Sequence, residues 1–143
     1  MRSFTYPANI SRDEAGFYLV TFPDLPRCAT DGSSPEEAMA EAGDALEEAV
    51  AHRIREGLDI PPPSRPRRGQ RIVPLSAQMS AKAALYLAVR EAEVSNCELA
   101  RRLGVAEAEV RRMLDPRHNT RLRRLEQGLA ALGQRLIVNA DAA

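Results

Sequence analysis

This 143-residue chain has no tryptophan, one lysine, two histidines, two cysteines and only six aromatic residues. Each scarcity closes off a class of chemistry. Cys28 and Cys97 lie far apart and form no CxxC pair, so neither a disulfide framework nor a thiol redox motif is indicated. A reduced, cytoplasmic protein is expected. His52 and His118 have no spaced His and no neighbouring Cys, so no metal site is expected. A glycine-rich phosphate loop is missing too, and no cofactor is expected. Six aromatic side chains are too few to read a ligand pocket from sequence. No apolar run reaches the roughly 20 residues that a membrane helix needs, and no secretory-signal pattern opens the chain, so no membrane association is expected.

What is present is globular: 44% of residues are hydrophobic and 28% charged, enough for one ordinary domain or two small ones. The formal net charge of zero is a cancellation. Residues 1–60 hold five arginines against twelve acidic residues, a net of −7; residues 61–143 hold fifteen basic residues against eight acidic ones, a net of +7. The imbalance suggests a basic half for phosphate and an acidic half for a basic partner. Nineteen of the twenty basic residues are arginine, a preference that codon bias alone would produce.

"PPPSRPRRG", Pro61 to Gly69, divides the chain: four prolines in six residues forbid helix and favour a stiff, extended spacer. Ahead of it, Phe4, Tyr6, Ala8 and Ile10 alternate as one face of a strand. "FYLVTF" (Phe17–Phe22) is a second strand, antiparallel across the "SRDEAG" turn, and "RCAT" a short third one. Ser34, Pro35 and Glu37 form an S-x-x-E start for a helix running to about Glu56. Its buried stripe is expected to be Met39, Ala42, Leu46, Ala49, Val50 and Ile54, opposite an acidic ridge of Glu37, Glu41, Asp44 and Glu48. "RIVPL" (Arg71–Leu75) reads as a fourth strand able to return to the same sheet. Beyond it the chain turns helical, with Ala84, Leu85, Ala88 and Val89 as a core stripe. Helices starting at Asn96 and spanning Ala106–Leu114 and Thr120–Leu132 follow. Gly133 is a C-terminal cap, and "RLIVNA" a last strand that either closes its own domain or pairs with a second copy.

Residues 96–114, "NCELARRLGVAEAEVRRML", meet the packing demands of a helix-turn-helix. Leu99 and the small Ala100 suit a close helix crossing, Gly104 a left-handed turn, and Val105, Val110, Met113 and Leu114 the inner side of the second helix. The outer side of that helix carries Ala106, Glu107, Ala108, Arg111 and Arg112. Glutamate can accept from cytosine and alanine can touch a thymine methyl, but Glu107 is equally explained by the helix dipole. Arg111, Arg112, Arg117, His118, Asn119, Arg121, Arg123 and Arg124 form a basic and polar cluster suited to phosphates, which position a protein without reading sequence. The expectation is DNA binding through Ala106, Glu107, Arg111, Arg112, Arg117, His118, Asn119 and Arg121, with sparse base readout. A homodimer or higher oligomer on a two-fold operator is expected.

The order of these segments resembles the HicB family of antitoxins. The matching stretches are "YPANISRDEAGFYLVTFPDLPRCATDGSSPEEAMAEAGDALEEAV", "PPPS", "RIVPL", "KAALYLAVRE", "ELARRLGV" and "LDPRHNTRLRRLEQGLAALGQRL". The resemblance implies an α+β chain. A partial RNase H-like domain without nuclease activity, a sheet with one packed helix, spans 1–75; an all-α helix-turn-helix domain with a short C-terminal strand spans 76–143. It further implies that the chain binds and occludes a small basic RNA-cleaving toxin of the HicA type and represses its own promoter on double-stranded operator DNA. Tyr18, Phe22, Asp24, Glu37, Glu41, Asp44 and Glu48 would then face the toxin. No enzymatic activity is expected: Asp13, Glu14, Asp24 and Asp31 read as turn residues rather than a metal-binding carboxylate cluster. The alternative is a stand-alone helix-turn-helix regulator with a ligand-sensing first domain.

Overall fold

The structure is a computed structural model that describes residues 1–142. Four strands form one sheet: β1 (Thr5–Arg12), β2 (Tyr18–Phe22), β3 (Leu25–Gly32) and β4 (Arg71–Pro74), in the order β3-β2-β1-β4. All three pairings are antiparallel, with Ile10 opposite Val20, Val20 opposite Thr30, and Tyr6 opposite Val73. The period-2 pattern buries Tyr6, Ala8, Val20, Phe22 and Val73. Helix α1 (Pro35–Arg55) buries Ala38, Ala42, Leu46 and Val50 at the spacing of one helical face. The expected stripe is thus displaced slightly, since Met39 and Ala49 are half-buried while Ala38 and Ala51 are buried. Ser34 Oγ accepts from Glu37 N at 3.1 Å, as the S-x-x-E pattern requires. The Glu37 carboxylate accepts from the Ser33 hydroxyl. Gly32 sits so close to this first turn that a Cβ there would lie 2.5 Å from Ala38 N.

Strand β3 is twice the length of "RCAT". Pro26 and a bulge at Thr21/Phe22 obscure it in the sequence, yet β3 is an edge strand, where a residue without an N–H is tolerated.

The proline stretch is strapped to the sheet. The Tyr6 hydroxyl donates to Pro61 O at 2.7 Å. Ser64 N and Oγ both donate to Asp24 Oδ2, at 2.9 and 3.1 Å, and Gln70 Nε2 donates to Asn9 Oδ1 at 3.1 Å. The chain divides into two compact units: Met1–Arg53 with Asp59–Ser76, and Ile54–Leu58 with the chain from Ala77 onward. The expected spacer therefore belongs to the first unit. Because it brings Arg65, Arg67, Arg68 and Arg71 with it, that unit holds eight arginines against eleven acidic residues, a net of −3, and the second carries +3.

The second unit contains α2 (Ala77–Ala92), α3 (Asn96–Leu103), α4 (Glu107–Leu114) and α5 (Leu122–Ala131). Ala81, Leu85, Ala88, Met113, Leu125 and Leu129 form its main core, and Leu99, Ala100 and Val110 a second cluster. The Tyr86 hydroxyl donates to Leu58 O at 2.6 Å and Arg90 Nη1 to Gly57 O at 2.7 Å, tying in the Ile54–Leu58 segment. Gly133, at φ 74°, ends α5: its N–H donates to Ala130 O and that of Gln134 to Leu129 O. Residues 134–140 form no strand, a correction to the expectation for "RLIVNA". A strand needs a neighbour to take its backbone groups, and the elements of this unit are helices. Ile137 and Val138 are 55% and 67% exposed. No described helix is long and apolar enough to cross a membrane.

Candidate nucleic-acid interface

Helix α3 starts where Ser95 Oγ accepts from Glu98 N at 3.1 Å, and ends at Gly104, whose φ of 67° is a left-handed conformation costly for a side-chain-bearing residue. Val105 N then donates to Ala100 O at 3.0 Å, turning the chain into α4. Leu99 and Ala100 pack with Val110, flanked by Leu103, Val105 and Leu114, as their spacing demands. Ala106 is the N-cap of α4 and forms no side-chain cap bond.

The acidic opening of α4 is explained by pairing. Arg111 Nη1 lies 3.1 Å from Glu107 Oε1, and Arg112 Nη2 2.7 Å from Glu109 Oε2; Arg124 Nε reaches Glu109 Oε1 at 3.5 Å. On α3, Glu98 takes Arg101 at 2.6 Å and Arg102 at 3.1 Å. Arg101, and after it Arg102, hold the Glu98 carboxyl down at about 2; Arg112 first and Arg124 in addition hold that of Glu109 below its ordinary value. The Cys97 thiol donates to Glu107 Oε2 at 3.0 Å, and that bond keeps the thiol protonated to higher pH. Glu107 is thus bonded on both sides.

After α4 the chain makes the turn Asp115–Arg121. Asp115 Oδ1 accepts from Arg117 N at 2.9 Å, an Asx turn that sets the backbone for Arg117 and His118. Arg117, His118, Asn119, Arg121 and Arg123 are all exposed. Among the described residues Arg117, Arg121 and Arg123 form no ion pair, so this short segment presents three uncompensated guanidinium groups. Of the eight DNA-contact candidates, the structure gathers Arg117, His118, Asn119 and Arg121 on one loop. On α4, Arg111 is neutralised by Glu107 and Arg112 by Glu109.

The residues holding that loop are ones that sequence reasoning missed. Lys82 is buried, its Nζ donating to Arg112 O and Met113 O, both at 3.0 Å, and to Thr120 Oγ1 at 2.8 Å. Gln78 grips the Thr120 backbone from both sides: its Oε1 accepts from Thr120 N, and its Nε2 donates to Thr120 O, each at 2.9 Å. Both lie on α2, four residues apart and so on one helical face. That placement is a signal the sequence carries: positions 78, 82, 85 and 89 share the stripe of Leu85 and Val89.

The proposed partner-facing residues of the first unit divide. Glu37, Glu41, Asp44 and Glu48 occupy one exposed face of α1. Tyr18, half-buried under the Arg12 guanidinium, pairs with Gly32 beside the start of α1 and so lies near Glu37. Phe22, only 1% exposed, is a core residue and offers no surface. Asp24 lies past the opposite end of β2 and spends its carboxylate on Ser64. Exposed Leu19 and Ile72 on the sheet went unremarked in the sequence. Asp13 Oδ1 closes the β1–β2 turn by accepting from Phe17 N at 2.9 Å. Among the described residues no three His, Cys, Asp or Glu side chains gather as a metal-holding group.

Comparison with known proteins fits this arrangement. Residues 5–84 match the family model described as "HicB_like antitoxin of bacterial toxin-antitoxin system", covering the sheet, α1, the strapped linker and the first half of α2. Similar full-length relatives extend through α5. Antitoxin HicB 2 of Photorhabdus laumondii is 36% identical over 94% of this chain and 95% of its own length. Antitoxin HicB of Escherichia coli K12 is 30% identical over 92% and 95%, and that of Pseudomonas fluorescens 30% over 98% and 96%. This chain belongs to the HicB-like antitoxin family of bacterial toxin–antitoxin systems.

Proposed function

We propose that the chain neutralises a small, basic RNA-cleaving toxin of the HicA type through its first unit and represses its own operon through its second. In this reading α3, the Gly104 turn and α4 are a helix-turn-helix, and the basic loop after α4 grips operator phosphates. The observation that carries the DNA half is the set of uncompensated arginines, Arg117 and Arg121 on the loop and Arg123 at the start of α5, beside a loop held by hydrogen bonds from Lys82 and Gln78. Arginines committed to Glu107 and Glu109 contribute less, so affinity exceeds base discrimination. The toxin half rests on the α1 ridge of Glu37, Glu41, Asp44 and Glu48, with Tyr18 at its start; a bound toxin is masked by mass action. Both activities belong to the cytoplasm and need no catalysis by this chain. A homodimer would place two α4 helices on a two-fold operator, and the exposed Ile137–Val138 segment is the part of the second unit suited to strand pairing between copies.

The test is co-expression with the adjacent gene product, followed by an RNA-cleavage assay and a gel-shift assay on the operon's own promoter. A stable complex that silences cleavage and shifts the promoter is expected. A chain that shifts DNA yet binds no neighbouring product would instead be a stand-alone regulator.

A further inference from the structure

The chain uses arginine at nineteen basic positions and lysine at one. That lysine, Lys82, is the only charged residue buried among the described residues, at 0% exposure. An ammonium has three N–H donors, and Lys82 has three acceptors: the carbonyls of Arg112 and Met113 in the last turn of α4, and Thr120 Oγ1. A planar guanidinium could not direct its donors to three such converging points. Helix-end carbonyls carry partial negative charge, which favours a cation at this end of α4. Yet packing alone does not call for a buried charge, because an apolar side chain of similar volume often serves as well or better. The pattern of acceptors suggests another purpose. Two of them end α4, and the third, 5% exposed, sits in the loop between α4 and α5. Thr120 Oγ1 also bonds Arg112 O at 3.3 Å and lies 3.1 Å from His118 Nδ1, while Gln78 clasps its backbone.

We propose that Lys82 is the positioning residue of the DNA-contacting surface: its ammonium locks the end of α4 to the Asp115–Arg121 loop, so that Arg117, His118, Asn119 and Arg121 meet the phosphates in one fixed arrangement. The proposal rests on the DNA-binding reading above. Holding these groups ready removes the ordering cost that a mobile loop would otherwise add to binding.

The lock has a pH limit. Burial lowers Lys82 to about 8, with Asp115 opposing the shift. The titratable and charged neighbours are Asp115 and His118 in the loop and Arg112 on α4, whose guanidinium is taken by Glu109; α5 sends Arg124 to the same Glu109 and the apolar Leu125 and Leu129 into this core. A neutral amine keeps two N–H donors and so gives up one of its three N–H bonds. Stability moves the other way. Lys82 stays protonated to higher pH in the unfolded chain, so between about pH 8 and about 10.5 the unfolded state binds more protons and this group's contribution to stability rises. Weaker DNA binding without loss of stability is therefore the distinguishing signature.

The full-length chain is titrated with a duplex carrying its own promoter between about pH 7 and about pH 9.5, alongside thermal melts. Because there is one lysine, selective 13Cε-lysine labelling yields one side-chain resonance to follow with and without DNA. We expect affinity to fall several-fold as that resonance titrates, the melting temperature to hold or rise, and DNA to raise the midpoint. His118→Gln should leave this dependence in place. Lys82→Met, if folded, should bind DNA roughly tenfold more weakly with a shallower salt dependence, and the toxin as before. Should Lys82→Met not fold, the wild-type titration decides alone. Flat affinity across the range, or a folded Lys82→Met with unchanged affinity and salt slope, overturns the proposal. No binding of the wild-type chain to promoter DNA at any pH removes the DNA reading itself, and the lock with it.

Discussion

Two neighbouring regions of the second unit carry similar numbers of arginines and treat them in opposite ways. On α3 and α4, Arg101, Arg102, Arg111 and Arg112 are each bonded to a glutamate three or four residues earlier. In the segment that follows, Arg117, Arg121 and Arg123 have no carboxylate partner among the described residues. The difference teaches that a count of basic residues overstates the positive potential on the helices and understates the role of the loop. Exposed helical ion pairs contribute little to stability, but each one withdraws a cation from any phosphate nearby.

The sharpest way to break this comparison is to delete the unpaired arginines. Replacing Arg117, Arg121 and Arg123 together by alanine should weaken promoter binding on the order of a hundredfold and lower the salt slope by about 3, with melting temperature nearly unchanged. A slope that stays put would return the phosphate contacts to the helices. Next in size is a gain. Glu107→Gln with Glu109→Gln releases Arg111 and Arg112, and should tighten binding to any duplex by about tenfold at low salt while narrowing the gap between operator and random DNA; competition with unrelated duplex measures that gap. Weaker binding by the double variant would mean that these glutamates touch bases.

A smaller effect extends the comparison to the first unit, where the bonds from Asp24 to Ser64 are exposed rather than buried. Asp24→Ala should cost about 1 kcal/mol and speed amide exchange at Ser64, leaving toxin affinity intact if Asp24 serves only the linker. A large drop in toxin affinity with Ser64 still protected would place Asp24 in the interface after all. The smallest effect concerns Glu98. Its carboxyl is depressed in the folded chain, so what its pairing contributes is present above the ordinary glutamate range and disappears only as pH falls toward about 2. Following its carboxyl carbon by NMR should give a midpoint far below that of an ordinary glutamate; a midpoint above about 4 would show that Arg101 and Arg102 are not held there.

Much of this was legible beforehand because it depends on local rules. Alternation marked β1 and β2, the Ser34–Glu37 pattern marked the start of α1, and Leu99, Ala100, Gly104 and Val110 marked the α3–α4 packing. What escaped depends on distant partners. Asp24 and Ser64 are forty residues apart, as are Lys82 and Thr120 within two, so no short window could join them. Lys82 stands in an alanine-rich helix, where no neighbouring residue reveals its acceptors. "RLIVNA" has the composition of a strand, but composition cannot supply the neighbouring strand. Phe22 was read as a surface aromatic because alternation assigns residues to faces without saying which face α1 covers.

The division of the chain bears on how this protein could be cut or recombined. Residues 54–58 belong with the second unit and 59–76 return to the first, so the polypeptide passes from one to the other three times. A shortened gene beginning at Ala77 would lack the carbonyls of Gly57 and Leu58 that receive Arg90 and Tyr86, leaving a hydroxyl and a guanidinium to find water instead. One stopping before Asp59 would strip Tyr6 and Asp24 of their partners. Recombining this chain with a relative by a single crossover should therefore yield weaker hybrids than transplanting side chains onto an intact chain.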